Sequence, residues 1–242
     1  MPIDSFLFRL AGPMQSWGTQ SRFLVRDTGS EPSKSAIVGL ICAGLGKPRD
    51  EKPTDHPRLS KLAALRLAVR ADREGEVRLD YQTAGGGRTS GGEYGVIRAD
   101  GSPGGTVVSR RYYLADAEFL VGIEGETELL ETVARALSAP RWQIFLGRKA
   151  FPPSIPVVLP GVTPWDAGWR RGTPLVDAIS SYPWLGALAP RTRESKPTRL
   201  RVVADDSRGS ETRRDFPLSF SPRRFSVRHV ETSLINLPEE PK

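Results

Sequence analysis

The segment from 141 to 153, RWQIFLGRKAFPP, holds the residues of this sequence whose types and spacing best fit a chemical role. Gly147 lets the backbone approach an anion closely, and Arg148 and Lys149 supply two positive charges beside it. Phe145 and a second phenylalanine flank these cations, and aromatic rings interleaved with arginine suit the bases of single-stranded nucleic acid. The segment therefore indicates a phosphate-binding loop; the alternative is a surface loop anchored by two buried phenylalanines.

Residues for catalysis or metal binding are few. Two histidines, His56 and His229, and one cysteine, Cys42, form no Cys/His nucleophile pair, HExxH motif or metal-ligand spacing. The segments AGGGRTSGGEYG and GSPGG lack the Lys-Ser/Thr ending of a phosphate loop, and neither precedes an apolar helix. We therefore expect no catalytic residue, no metal and no cofactor, and a metal-free ribonuclease built on histidine, tyrosine and lysine stays as the alternative.

Charge favours an anionic partner. Lysine and arginine number 35 against 28 acidic residues, a net charge of +7, and most of the cations are arginine, whose planar group suits phosphate. Residues 112 to 138 carry six acidic groups and one arginine, whereas residues 141 to 171 carry five basic groups and one acidic group. The basic segment is thus a candidate phosphate surface and the acidic one a candidate protein-facing surface, unless both are only solvated faces.

Cysteine usage and hydropathy point to a location inside the cell. One cysteine excludes an internal disulfide framework, which fits a reducing cytoplasm. The amino terminus lacks the pattern of a signal peptide, and no run of about 18 apolar residues occurs. We expect a cytoplasmic protein without a membrane partner.

Several segments have the periodicity that would place these residues on regular elements. The patterns predict a buried strand at 5–11, a helix from Ser35 as N-cap to Gly46, and a strand at 65–71. A long hairpin with a mobile, glycine-rich tip follows at about 81–111, then a strand at 112–123, a helix capped by Thr127, and a late strand at 225–230. This order predicts an α+β fold with a ferredoxin-like (RRM-type) antiparallel sheet and helices on one face.

No linker composition divides the chain. We therefore expect one domain over 1–242, with the hairpin inserted at about 81–111. The extension from about 160 to 242 is rich in arginine and proline, and we expect it to be irregular apart from the late strand.

Specific motifs connect the sequence to a known family. The opening FRLAGPMQSWG, the helix with its lead-in PSKSAIVGLICAGLGKPRD, LDYQT, RRYYLADAEFLV and FLGRKAFPP occur in the order found in the CasD family of the type I-E CRISPR Cascade complex. The sequence resembles that family from about residue 3 to residue 160. It departs at Gln82, where many members have histidine, and this departure removes an ionisable group.

The resemblance implies a body of the repeat-associated (RAMP) superfamily with a thumb hairpin that folds over a guide RNA. It implies the guide RNA 5′ handle as ligand, the Cascade large subunit and backbone subunits as partners, and target DNA only through the complex. It also implies a capping role without catalysis. A homologue of a related subtype cuts repeat RNA, so a metal-independent endoribonuclease using Tyr81 or His229 with Lys149 is one alternative, and a protein-only scaffold is another.

The predicted RNA contacts fall into three chemical groups. Cations would neutralise phosphates, aromatic rings would stack on or wedge bases, and Gln15 would read a base edge or a 2′-hydroxyl. Ser35 would open a helix whose amino-terminal end binds a phosphate. The cations are Arg26, Lys34, Arg110, Arg111, Arg141, Arg148 and Lys149, and the aromatic residues are Trp17, Tyr81 and Phe145, with Gly147 in the basic loop.

Overall fold

A seven-stranded antiparallel sheet forms the centre of the protein in the computed structural model, in the strand order β10-β11-β9-β4-β7-β1-β8. The structure describes residues 4–18, 24–85, 96–97, 100–102, 104–161, 168–187 and 197–237. The strands are β1 (Asp4–Ala11), β2 (Met14–Gln15), β3 (Val25–Arg26), β4 (Arg66–Arg73), β5 (Glu76–Ala84), β6 (Val107–Ala115), β7 (Glu118–Gly125), β8 (Trp169–Arg170), β9 (Arg199–Asp205), β10 (Glu211–Phe220) and β11 (Arg223–Asn236). The helices are α1 (Lys34–Leu45), α2 (Leu59–Ala64), α3 (Thr127–Ser138) and α4 (Leu175–Ser181), with a short 3-10 helix at Leu185–Ala187.

Both faces of the central strands are buried. Every residue of β1 is buried, and alternate side chains enter two separate cores, with Phe6 and Phe8 in one and Leu7 in the other. Helices α1 and α3 cover the first face and α4 covers the second. The prediction of helices on one face is therefore wrong, because the near-continuous apolar sequence of β1 supplies a core on each side.

Helix α1 begins two residues earlier than expected. Its N-cap is Ser33, whose hydroxyl accepts a hydrogen bond from Ala36 N, so Ser35 lies in the first turn and the predicted cap is wrong. Gly46 ends the helix at φ +67°, a left-handed conformation that glycine adopts without steric cost.

Helix α3 shows the same kind of shift at its start. Glu126 is its N-cap, whereas the Thr127 hydroxyl donates to Asp4. Its buried residues include Leu130, Val133 and Leu137, as the spacing predicts. Among the residues that the structure describes, no helix is long and apolar enough to cross a membrane.

The carboxyl-terminal part of the chain is more regular than its composition suggests. Strand β9 pairs with β4, and β11 pairs with β9 and then with β10, so three late strands extend the central sheet. The prediction of an irregular extension is wrong. Two register shifts in β10, one beside Pro217, break the alternation by which strands are recognised in a sequence.

A buried ion pair ties this late part to the sheet. Arg70 and Asp72 of β4 are 2.7 Å apart with both side chains fully buried, so the expected polar face of this strand is part of the interior. Arg70 also donates to the carbonyl oxygens of Ile179 in the last turn of α4 and of Tyr182 and Pro183 just after it. The arginine thereby satisfies backbone acceptors that a helix end leaves unpaired.

A second, four-stranded sheet is built around β6. Strand β5 pairs with one edge of β6 from Glu76↔Ala115 to Ala84↔Val107. Strands β2 and β3 pair with different parts of the other edge of β6. The predicted strand at 112–123 is wrong as a single element, because Asp116 at φ +60° separates β6 from β7. The predicted tip of the hairpin lies mostly outside the described residues.

Candidate nucleic-acid interface

Three arginines that are distant in sequence meet on one side of the second sheet. Strand β3 runs parallel to β6 and places Arg26 beside Arg111. Arg148 reaches the same point from the loop after β7 and α3, where its Nη2 donates to the carbonyl oxygens of Arg26 at 3.3 Å and Tyr112 at 2.8 Å. We call Arg26, Arg111 and Arg148 the arginine cluster.

The positive charges of the arginine cluster repel one another. Burial lowers the pKa of Arg148, and the neighbouring cations Arg111 and Arg26 lower it further, while Asp80 and Asp27 act in the opposite direction. The arginine stays charged, since its ordinary pKa is far above neutrality. An anion at this position would therefore relieve a repulsion that the fold itself creates.

The loop that carries Arg148 is held by a required glycine. Gly147 has φ +95°, and a Cβ at this position would lie 1.8 Å from the carbonyl oxygen of Ser16. Its close neighbour is thus the protein backbone rather than an external anion. Phe151 is buried, with the Arg148 guanidinium 5.6 Å from its ring centre, while Phe145 is only half-buried and Lys149 is exposed.

Tyr81 and Arg110 lie on the other side of the second sheet. They are directly opposite each other in the β5–β6 register, and Arg110 alternates with Arg111 along β6. Tyr81 is 64% exposed and Arg110 is also exposed, so both are accessible. The predicted contacts on the hairpin are therefore divided between two faces.

Gln15 and Trp17 do not reach the surface, which corrects their predicted contacts with RNA. Gln15 is fully buried, and its amide donates to the carbonyl oxygens of Leu10 at 3.2 Å and Ala117 at 2.7 Å. Trp17 is 1% exposed. Gln15 thereby joins the end of β1 to the turn between β6 and β7, and Trp17 is part of the hydrophobic core that contains Phe6 and Phe8.

Lys34 and Ser35 do not form a free phosphate site at the start of α1. The Lys34 backbone N–H donates to Asp215 Oδ2 at 2.7 Å, and its Nζ donates to Asp205 Oδ2 at 2.7 Å. Burial lowers the pKa of Lys34, and the charge of Asp205 opposes this. Two carboxylates of the chain, both also bound by Arg228, occupy the place expected for phosphate, so the prediction is wrong.

Arg141 lies at the carboxyl-terminal end of α1, away from the arginine cluster. Its backbone N–H donates to Gly44 O at 2.8 Å, and that of Trp142 donates to Ala43 O at 3.1 Å. Trp142 is 46% exposed, which is unusual for tryptophan, yet the sequence reasoning passed over it. Its position directly after an arginine and a predicted helix end was the available signal.

The three residues of the nuclease alternative lie on different elements. Tyr81 is in β5, Lys149 is in the loop after α3, and His229 is exposed in β11 opposite Thr212. Cys42 is buried, and burial raises the pKa of its thiol to about 11. In the described part of the chain, no group of three His, Cys, Asp or Glu side chains could hold a metal ion.

Comparison with known proteins identifies the family. The sequence model described as "CRISPR-associated protein (Cas_Cas5)" matches residues 5–231, so the chain belongs to this family of CRISPR-associated proteins. Within it, the CRISPR system Cascade subunit CasD of Escherichia coli K12 is 32% identical over 165 residues, which span 63% of this chain and 69% of that protein. The resemblance to CasD predicted from the motifs is confirmed, and the family match extends well past residue 160.

Two solved structures share the fold. One, titled "Crystal structure of Cas protein", has a TM-score of 0.72 and 37% identity, and the match covers 98% of this chain and 100% of that one. The other, from a structure titled "CRISPR RNA-guided surveillance complex", has a TM-score of 0.71 and 33% identity, with 97% and 91% covered. The mixed α+β architecture with an antiparallel sheet is therefore that of a CRISPR-associated family.

The pairing of Lys34 leads to a test of its role. We expect Lys34→Met, which keeps the apolar stem and removes the amine, to lower the free energy of unfolding by about 2 kcal/mol, because a charged hydrogen bond to Asp205 is lost. The affinity of the folded variant for single-stranded RNA and its salt dependence should not change. Ser33→Ala, which removes the cap and costs about 1 kcal/mol, is the control. Unchanged stability of Lys34→Met, together with weaker and less salt-dependent RNA binding, would contradict this expectation and support a phosphate site at Lys34.

Proposed function

We propose that this chain is a non-catalytic RNA-binding subunit of a CRISPR Cascade complex and that it holds the 5′ handle of the guide RNA. The convergence of Arg26, Arg111 and Arg148 on β6 is the observation that carries the proposal. Such a cluster on a half-exposed surface attracts consecutive phosphates of a nucleic-acid backbone. The relatives support the same reading, since one is a Cascade subunit and another comes from an RNA-guided surveillance complex.

The topology supports a ferredoxin-like core with a thumb. The order β8-β1-β7-β4, with α1 after β1 and α3 after β7, follows the βαββαβ pattern. RRM domains bind RNA on an open sheet face. Here α1 and α3 cover one face of the sheet and α4 covers the other, so we infer that the inserted β5–β6 hairpin takes over the RNA contact.

The hairpin offers complementary chemistry on its two faces. The arginine cluster and Lys149 provide charge for phosphates, while Tyr81 with Arg110 provides a ring and a cation for an unstacked base. Among the described strands, β5 pairs with β6 alone, so its other edge is free. We infer that the RNA passes this free edge and contacts both faces of the hairpin. The hairpin would then separate the handle from the guide segment.

Partners follow from the same proposal. We infer that residues 1–242 act as one domain, since β9 pairs directly with β4 across more than a hundred residues. This domain would cap the complex beside the large subunit and the first backbone subunit. Guide processing would belong to another subunit.

Salt-dependent binding tests the arginine cluster. We expect Arg26→Gln, Arg111→Gln and Lys149→Gln together to lower the slope of log affinity against log salt for CRISPR repeat RNA by about 2, at about 0.7 per single-strand phosphate contact. Arg148 is retained because it bonds the carbonyl groups of Arg26 and Tyr112.

The matched control for this variant removes three exposed cations elsewhere, with Arg49→Gln, Lys61→Gln and Arg135→Gln. It should leave the slope unchanged. All assays contain a chelator, and the RNA is analysed for cleavage. Equal slopes in parent and cluster variant would contradict the site, and cleavage by the parent would establish the endoribonuclease alternative.

The register of the hairpin provides a test of the thumb. Ala84 and Val107 are directly paired, so a two-residue Asn-Gly turn can replace residues 85–106 without altering the strands. We expect this variant to unfold at the parent temperature but to release repeat RNA faster or to fail in assembly with the backbone subunit. Parent-like RNA retention and assembly would show that the inserted segment has no role in either.

A further inference from the structure

The β10–β11 hairpin carries five arginines and only two acidic residues between 211 and 229. The arginines that point toward the body are neutralised. Arg228 bonds Asp205 and Asp215, and Arg213 lies 2.7 Å from Glu211. Burial would lower the pKa of Arg228, but hydrogen bonds and charge interactions with both aspartates raise it. These inward cations therefore belong to the fold.

The remaining arginines of the hairpin differ in that they have no carboxylate partner. Arg214, Arg223 and Arg224 are exposed, and their side chains make no hydrogen bond or ion pair with any residue that the structure describes. Arg223 is six residues before His229 in β11, so the two side chains lie on the same side of the hairpin. Thr212 is directly opposite His229, and Arg214, two residues further along β10, lies on that side as well. Arg224 alternates with Arg223 and is in phase with the paired Arg228, so exposed, unpaired cations lie on both sides of the hairpin close to its turn.

This surface lies at the opposite end of the central sheet from the arginine cluster. The β5–β6 hairpin continues from the Arg73 end of β4. Asp205, at the end of β9, accepts a hydrogen bond from Leu67 N at the other end of β4. Asp205 pairs with Val230 of β11, and the part of β11 before Val230 extends beyond the end of β9. The eight residues of β4 span about 25 Å at roughly 3.3 Å each. The turn of the hairpin, with Arg223 and Arg224, therefore lies beyond the Arg66 end of β4, whereas the arginine cluster lies beyond the Arg73 end.

The three phenylalanines of the hairpin, Phe216, Phe220 and Phe225, are half-buried rather than exposed. The Phe216 ring lies 5.1 Å from Lys34 Nζ, and Phe220 packs against the core beside α1. Single-stranded nucleic acid is held largely by stacking on exposed rings, whereas duplex DNA needs only phosphate contacts. A ribbon that exposes arginines while its rings are half-buried therefore fits a duplex backbone.

We propose that Arg214, Arg223 and Arg224 bind the phosphate backbone of duplex DNA. The inference rests on the proposed function, because a guide-RNA complex is what brings this chain to a DNA duplex. It goes further in giving the chain a direct DNA contact of its own, at a site separate from the RNA. The contact carries no sequence information, since it involves only phosphates.

The test compares two variants of the full chain with equal net charge. One carries Arg214→Gln, Arg223→Gln and Arg224→Gln, and the other is the control with Arg49→Gln, Lys61→Gln and Arg135→Gln. Binding to a short duplex DNA is measured over a salt series, together with the unfolding midpoint. We expect the hairpin variant to lose about 2.7 from the log–log salt slope, at about 0.9 per duplex phosphate, and the control to lose nothing. Binding of repeat RNA should be unchanged in both.

Three results would overturn the proposal. An unchanged DNA slope in the folded hairpin variant would show that the arginines do not contact duplex phosphates. An equal loss of RNA binding would assign the hairpin to the RNA site, and a greater loss of binding to polyglutamate than to DNA would assign it to an acidic protein surface. Failure of the parent to bind repeat RNA, with the expected DNA result, would refute the proposed function and leave this contact standing.

Discussion

The pairing of β6 along both of its edges is the constraint on which the candidate site depends. Strand β5 occupies one edge over its full length, and β2 and β3 share the other. Only this arrangement brings Arg26 beside Arg111 and lets Arg148 reach the carbonyl oxygens of two strands. Arg148 is held by hydrogen bonds to two backbone carbonyl groups and Arg111 by one to the Ser109 hydroxyl, so the fold maintains the repulsion between these cations.

The second constraint is burial on both faces of the central sheet. RRM domains bind RNA on an open sheet face, but each face of the central sheet here supports a hydrophobic core. Charged binding surfaces therefore lie on elements that extend beyond the central sheet. The β5–β6 and β10–β11 hairpins leave it at opposite ends, and both carry exposed cations, which is consistent with two separate anionic surfaces.

Local patterns in the sequence predict local structure well here. The apolar run of β1, the spacing of Leu130, Val133 and Leu137 in α3, and the glycine at the end of α1 are all signals carried within a few residues. Of the late strands, only the part of β11 at 225–230 was predicted, and β10 was missed because register shifts and arginines interrupt its alternation. The same limits explain the errors in helix caps, since two serines near Lys34 are equivalent until the chain geometry selects Ser33.

The candidate site shows where sequence reasoning ends. The basic loop and the hairpin arginines could be named from residue type, and the structure brings three of them together. Lys34 has the same appearance in sequence, yet its partners Asp205 and Asp215 lie about 170 and 180 residues away, so its neutralisation could not be predicted. Gln15 and Trp17 likewise look like binding residues only until the fold that buries them is known.

The central claim is that this chain holds one defined end of a guide RNA, and the RNA that it carries in its native cells tests this most directly. The measurement is to purify the native protein with its associated molecules, extract the bound RNA and sequence both ends. The account predicts short RNAs that share a single repeat-derived 5′ end. RNAs with scattered 5′ ends, or a stable native assembly without RNA, would contradict it.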